Sequence, residues 1–426
     1  MENNSQSQIR SDVQFLKTCI STKDIPGWNA FNASLAADGK TALLEGLDLS
    51  QTHLGGFDFS KAHLRGTNFS GAHLEGVDFS GSNLENVVFT AAHLEGADFG
   101  GANLEKAVLI GAYLTGVNLD FANLTQTDFS YANLEGLKLR RGNLGAVNFS
   151  YANLEGSDFS YTQFERVVFH GASMAGSIFS GSDLTGANFR GAGLANTNMR
   201  GAILRNADLS STHIEGAIFS KTNIVGAVFN LAICDAGTLF SNCNVDKKTD
   251  FRSVGLDNAR FSPGLKELLK YNNRRLNWEE WSLKNKYSGA MVRAFWGFSD
   301  YGRSTRRIIW WFLGFSLVFA VLYCYIPDMV EGFDGDGGTG GYVGFARFIR
   351  ALYFSFVTMT TLGFGDMCAR KTISAVMDPA YWRTILGHCL IMMQVIVGYV
   401  ILGALVTRLS MLFTSEDAPL ARFEDD

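Results

Sequence analysis

From residue 44 to residue 229 every fifth position is large and apolar, 38 in succession, beginning Leu44, Leu49, Leu54, Phe59 and ending Phe219, Ile224, Phe229. A period of five suits neither a helix, which repeats at about 3.6 residues, nor a flat strand, which repeats at about 2. It calls for a short extended segment followed by a corner. Two positions before each large residue sits a small one, as at Ala62, Ala72, Ala102, Ala152 and Ala217, with Asn, Asp or His between them and Gly common at the corner. One bulky and one small inward residue in every five describe a narrow solenoid of stacked coils. Leu47, Phe57 and Leu137 break the small position, so those corners should bulge or meet a cap. After Leu239 the frame slips by two residues through residues 242–248 and resumes at Phe251, Leu256 and Phe261, which predicts a protruding loop.

Outside that run the pattern changes. Trp28, Phe31 and Leu35, at helical spacing after Pro26, predict a short amphipathic helix over the open edge of the first coil. Residues 265–286 are helix-prone, with Trp278 and Trp281 three apart; Met291, Phe295, Trp296 and Phe298 follow around Arg293, a composition suited to a membrane interface. Residues 308–326 carry no charge and as a helix would measure about 29 Å, enough to cross a hydrocarbon core. A second apolar stretch, 384–413, is interrupted by His388, Gln394 and Arg408. Between the two lies an amphipathic segment, 345–359, whose shortness and whose Arg347 and Arg350 read against a crossing.

Composition narrows the function. A chain that is 47% hydrophobic is not mainly disordered, and a net charge of -5 provides no cationic field for nucleic acid. The six cysteines (19, 234, 243, 324, 368 and 389) form no CxxC pair and have no partner His at metal spacing, so neither a structural metal nor a disulfide framework is expected. No HExxH, GxSxG or GxxxxGK[ST] occurs in a fitting context, which argues against an enzyme, and no cofactor is expected. The Gly-rich loop 335–341, beside Asp334 and Asp336, completes neither a phosphate cradle nor a calcium loop and reads as an acidic turret. The first ten residues are polar and lack the apolar centre of a secretory signal, which places the N-terminal part in the cytosol.

Ala102-Asn103-Leu104, Ala122-Asn123-Leu124 and Ala132-Asn133-Leu134 match A(D/N)LXX, and the solenoid resembles the pentapeptide-repeat family. The resemblance implies a right-handed, four-sided β-helix, one pentapeptide per side and twenty residues per coil. Within the run every central Phe except Phe164 falls at a number ending in 9, so Phe should stack on two opposite faces. Some members of the family mimic DNA and bind topoisomerase. Here 11 Lys and Arg against 18 Asp and Glu over residues 44–229 make the surface only modestly acidic, so a solvated or partner-docking surface is the reading.

The segment richest in chemistry is Thr361-Leu362-Gly363-Phe364-Gly365-Asp366, directly after the short amphipathic helix. A cation filter needs a ring of backbone carbonyls in place of water, and alternating Gly permits the backbone angles that turn successive carbonyls inward. This stretch resembles the potassium-channel signature TVGYGD, set between two membrane helices as in the two-transmembrane pore module. Leu362 stands where the signature has Val, and Phe364 where it has Tyr, as in the two-pore-domain potassium channels. The resemblance implies that Thr361, Leu362, Gly363, Phe364 and Gly365 bind permeant potassium, that Asp366, Tyr353 and Phe354 support the filter, and that Gly398 and Gly403 serve the inner-helix hinge. No metal other than the permeant ion is implied.

The fold class expected is therefore a cytosolic quadrilateral β-helix plus an α-helical membrane pore domain with two membrane helices, a re-entrant pore helix and a selectivity filter. Its domains would be 1–43 with a capping helix, 44–262 the β-helix, 263–305 a helical connector, 306–413 the pore and 414–426 an acidic tail. The expected function is a potassium-selective channel subunit. Its partners would be three further copies of itself, the lipid bilayer and a cytosolic protein, with no nucleic acid. It would lie in the plasma (cell inner) membrane, multi-pass, with both termini cytosolic because Arg303, Arg306, Arg307 and Arg408 flank the spans. The competing readings are a membrane-anchored scaffold with a non-conducting pore module and a DNA-mimicking topoisomerase binder.

Overall fold

The computed structural model describes residues 2–139, 143–285, 305–325, 330–331, 342–360, 368–369 and 379–414. They fall into two compact units that divide between Asn273 and Arg274.

In the first unit the five-residue period becomes a parallel ladder. Bridges join residues twenty apart, as His63 to Asn83 and Asn83 to Asn103. The Leu64 N–H donates one coil onward, to the Asn83 carbonyl at 2.9 Å, and the His63 N–H one coil back, to the Ala42 carbonyl at 2.8 Å. A turn bond closes the corner, from the Ala62 N–H to the Phe59 carbonyl at 3.1 Å. Four such corners per coil make the quadrilateral. The corners need positive φ, which costs Gly66 little at 68° but is unfavourable for Lys61 at 57° and Tyr131 at 61°. Such residues are held there by the ladder on both sides.

The interior repeats with the coil. Phe59, Phe79 and Phe99 stack at 5.6 and 5.1 Å between centroids, and Phe69 meets Phe79 edge-on at 5.8 Å across the core. These offset and edge contacts suit the aromatic quadrupole, so two opposed Phe columns fill the rod. The inward small position tolerates a hydroxyl because the coil supplies an acceptor: Thr67 Oγ1 donates to the Leu44 carbonyl at 2.8 Å and Thr127 Oγ1 to the Leu104 carbonyl at 2.9 Å. On the outside Asn side chains form their own ladder, Asn123 Nδ2 donating to Asn103 Oδ1 at 2.9 Å.

Helices close both ends. Asp24 accepts from the Gly27 N–H at 2.9 Å and so caps helix α2 (Ile25–Ala37), which follows helix α1 (Glu2–Thr22). From α2, Trp28 Nε1 donates to the Asp58 carbonyl at 2.7 Å, Asn29 Nδ2 to the Gly56 carbonyl at 3.1 Å, and Asn32 Nδ2 to the Ser60 carbonyl at 3.2 Å. These side chains take the place of a missing coil. Phe57, oversized for its position, is buried beside them against Phe59, as expected for a corner that meets a cap. At the other end helix α3 (Leu265–Lys284) buries Leu265 and Leu269, while Asn273 donates to the Phe251 carbonyl at 2.8 Å and accepts from the Phe251 N–H at 3.1 Å. The first half of α3 is thus a cap on the last coil.

Two features differ from the sequence reading. The slip of two residues is not a protruding loop after Leu239 but two single insertions. Strand β3 (Ile218–Ser220) pairs with β4 (Leu239–Ser241) at a spacing of twenty-one, placing Phe240 rather than Leu239 in the core, and Val228 pairs with Asp250 at twenty-two. Each extra residue sits in a widened corner, Asp235 to Thr238 and Asp246 to Thr249. In both, the carboxylate accepts two amides two and three residues on, and the buried Thr hydroxyl reaches the preceding coil. The corners absorb the insertions because these bonds replace what the five-residue turn would supply. Strand β5 (Arg260–Phe261) then continues the same sheet.

The second feature is a break. Lys138 bridges Asp158 and Asn118 bridges Asp98, yet among the described residues no bridge joins Asn118 to Lys138. Leu137 is buried beside the break and is larger than Val117 and Ser157, which hold its place in the neighbouring coils. Beyond the break strands β1 (Asn143–Gly145) and β2 (Gln163–Glu165) re-establish the ladder.

The second unit packs three helices: α4 (Thr305–Tyr325), α5 (Tyr342–Thr360) and α6 (Pro379–Thr414). Phe319, Ala320 and Tyr323 of α4 meet Ala351 and Phe354 of α5 and Ile391 of α6 in one cluster, and Ile308, Met359 and Ile401 form another. Strand β6 (Val330–Glu331) pairs antiparallel with β7 (Cys368–Ala369). At nineteen residues α5 is longer than the segment expected at 345–359, and it carries Arg347 and Arg350. Among the described residues one helix, Thr305–Cys324, is long and apolar enough to cross a membrane, and His388–Gly403 is a shorter apolar run.

Candidate functional site

A polar side chain inside an apolar helix bundle must find partners or cost several kcal/mol, roughly 2–7 for an unpaired amide. Gln394, midway along α6, is fully buried and completely paired. Its Oε1 accepts from the Tyr323 hydroxyl of α4 at 2.6 Å, and its Nε2 donates to the Ser355 carbonyl of α5 at 2.9 Å and to Ser355 Oγ at 2.7 Å. Ser355 Oγ in turn donates to the Ser316 carbonyl of α4 at 2.8 Å. Four residues from three helices therefore fix the rotation and height of α5 against its neighbours. Gln394 interrupts the apolar run in the sequence, which is the signal that marks it; its partners lie 71 and 39 residues away and leave no such mark.

This network holds the helix that leads into the proposed filter. Helix α5 ends at Thr360, where the side-chain hydroxyl donates to the Phe356 carbonyl at 2.9 Å. Thr361, Leu362, Gly363, Phe364, Gly365 and Asp366 lie outside the described residues. Of the two aromatic residues assigned to filter support, Phe354 is buried edge-on against Tyr323 at 5.3 Å, whereas Tyr353 is 61% exposed on the outer side of α5. They occupy different surroundings within one chain. Three residues before Thr361, Thr358 Oγ1 is buried with no hydrogen-bond partner among the described residues.

Gly398 and Gly403 also separate. A Cβ at Gly398 would stand 2.3 Å from the Met359 carbonyl oxygen, so α6 passes the end of α5 with no room for a side chain. A Cβ at Gly403 would meet nothing within 4 Å. Around this core the helices expose an apolar belt that includes Trp310, Val318, Met392, Ile396, Tyr399 and Val406.

The family model for pentapeptide repeats matches eight copies, over residues 42–81, 82–120, 107–145, 148–186 and 182–220. Three solved structures illustrate the likeness. HetL, a pentapeptide repeat protein involved in heterocyst differentiation regulation from Nostoc sp. strain PCC 7120, is 24% identical over 53% of this chain and 94% of its own, with a TM-score of 0.25. A pentapeptide repeat protein from the thylakoid lumen of Arabidopsis thaliana is 36% identical over 27% of this chain and 67% of its own, with a TM-score of 0.17. QnrB1, a plasmid-mediated fluoroquinolone resistance protein, is 19% identical over 56% of this chain and 97% of its own, with a TM-score of 0.21. No curated protein matches the chain.

Proposed function

Through its rod this chain belongs to the pentapeptide-repeat family, and from that premise we propose that it is a subunit of a potassium-selective membrane channel whose repeat domain regulates or assembles the pore. The observation that carries the reading is the junction at Thr360. A helix packed between two others stops immediately before Thr361-Leu362-Gly363-Phe364-Gly365-Asp366, the place a pore helix takes relative to a carbonyl filter. The C-terminal end of such a helix presents partial negative charge, which favours a cation there. The paired Gln394, Tyr323 and Ser355 cluster holds that helix, and the exposed apolar belt suits lipid and neighbouring copies. One chain contributes one filter segment, so four chains close the ring. The channel would lie in the plasma (cell inner) membrane with both termini cytosolic, a reading supported by Arg303, by Arg306 and Arg307 at the start of α4, and by Arg408 late in α6.

Full-length protein reconstituted in liposomes tests the reading. Uptake of potassium but not sodium is expected, and Gly363→Ala should abolish it. Absence of flux in the wild-type protein, with the protein intact and inserted, would leave a membrane-anchored scaffold in its place.

A further inference from the structure

Three of the seven histidines, His53, His73 and His93, lie in one column on the side of the rod, one per coil, with Tyr113 next in line. The twenty-residue coil stacks their rings at 4.5, 4.7 and 4.8 Å between centroids, His73 and His93 within 3° of parallel. Two residues after His73 and His93 come Glu75 and Glu95. His73 Nδ1 is 3.0 Å from Glu75 Oε1, and His93 Nδ1 is 3.6 Å from Glu95 Oε1. Among the described residues these imidazoles are the only ion-pair partners of the two carboxylates, and Glu95 Oε2 is buried without a hydrogen bond. Partial burial pushes the Glu75 carboxyl up, but the His73 hydrogen bond and the charges of His73 and His93 outweigh it and hold it below the usual carboxylate range. Glu75 thus feels both rings.

We propose that His73, Glu75 and His93 form a binding site for a divalent transition-metal ion of the zinc or copper(II) class. Their ligand atoms lie within 4.8 Å of one another. A tetrahedral ion with bonds of about 2.1 Å holds its ligand atoms about 3.4 Å apart, so the widest pair must close by roughly 1.4 Å. The parallel rings must also tilt for their lone pairs to converge, and His93, stacked between His73 and Tyr113, must open that stack to do so. Two imidazoles and a carboxylate suit zinc or copper better than calcium or magnesium, which take oxygen ligands. Three protein ligands leave a fourth position open to water. Glu95, beside the His93 ring, is placed to orient it as an outer partner.

The rod contains its own control. His213 and Glu215 repeat the same His-x-Glu contact at 3.3 Å, but Gly193 and Ile233 occupy the neighbouring coils of that column, so no second imidazole is at hand.

Copper(II) titration of the full-length protein in detergent, followed by electron paramagnetic resonance and calorimetry, tests the assignment. The expected result is one site per chain with superhyperfine splitting from two nitrogens. His73→Asn and His93→Asn should each weaken it at least tenfold and remove one nitrogen from the spectrum. Asn occupies the same repeat position at Asn83 and Asn103, so both variants keep the coil. Glu75→Gln should weaken binding with both nitrogens retained, and His213→Asn should leave binding unchanged. Affinity unaltered by His73→Asn and His93→Asn together, or lost equally in His213→Asn, overturns the site.

Discussion

Gly398 can offer only a hydrogen to the Met359 carbonyl, because that oxygen stands 2.3 Å from where a Cβ would be. The obstruction is backbone, which cannot rotate away as a flexible side chain could. Gly398→Ala should therefore destabilise the second unit by about 1–3 kcal/mol, the usual cost of overpacking. Gly403→Ala, facing open space, should change stability by less than about 0.5 kcal/mol. Thermal unfolding of the two full-length variants in detergent measures the difference. Equal stability would show that α6 and α5 do not meet at Gly398. The result also bears on the proposed hinge, since a glycine kept for close packing is needed whether or not the helix bends there.

At the scale of elements, the widened corners at Asp235 and Asp246 show how a repeat survives an insertion. Burial pushes the Asp246 carboxyl up, but the amides of Gly226, Lys248 and Thr249 and the Thr249 hydroxyl outweigh it and hold it below the ordinary value. A carboxylate more acidic in the folded state than in the unfolded chain contributes stability that is full above the unfolded value, about pH 4, and is lost as pH falls through the folded one. The last coils should hold their stability from neutrality to about pH 5 and lose it below about pH 4. Thermal unfolding of wild type and Asp246→Asn across that range checks the assignment. The variant keeps an acceptor oxygen but cannot titrate, so its curve should be the flatter; an identical decline in both would place the acid sensitivity elsewhere. Cys243 lies between the two insertions, and burial pushes its thiol up to about 12, which marks it as a packing residue rather than a reactive one.

On the scale of the whole molecule, the division between the units falls inside α3. The first half of that helix caps the last coil through Leu265, Leu269 and Asn273, and its second half is grouped with the second unit. In the proposed channel, the rod biases the gate only through contacts that differ between closed and open states. Removal of residues 1–262 should shift open probability and leave the preference for potassium over sodium unchanged, because the residues assigned to the filter, 361–366, lie outside the deleted segment. Single-channel recording of truncated and full-length protein decides it. Unchanged open probability would reduce the rod to docking or assembly, and a changed ion preference would mean that filter and regulator are not separable.

What the amino-acid order by itself determined is the rod. A period of five over 38 positions leaves one periodic solution, and every coil reports it again, so no long-range information is needed. The Phe columns followed for the same reason, as did the cap at Trp28. Helix α1 was missed, although Ile9, Val13, Leu16 and Ile20 repeat at helical spacing among its polar residues. Tertiary structure decided what depends on partners far apart in the chain. It split one slip of two into two corners, because a Thr hydroxyl and a carboxylate satisfied each inserted residue locally. It paired Gln394 with residues of two other helices, since an amide in an apolar bundle takes whichever partner the packing brings. It also set His73 against His93, because a coil of twenty residues turns a distance in sequence into a contact of 4.7 Å in space.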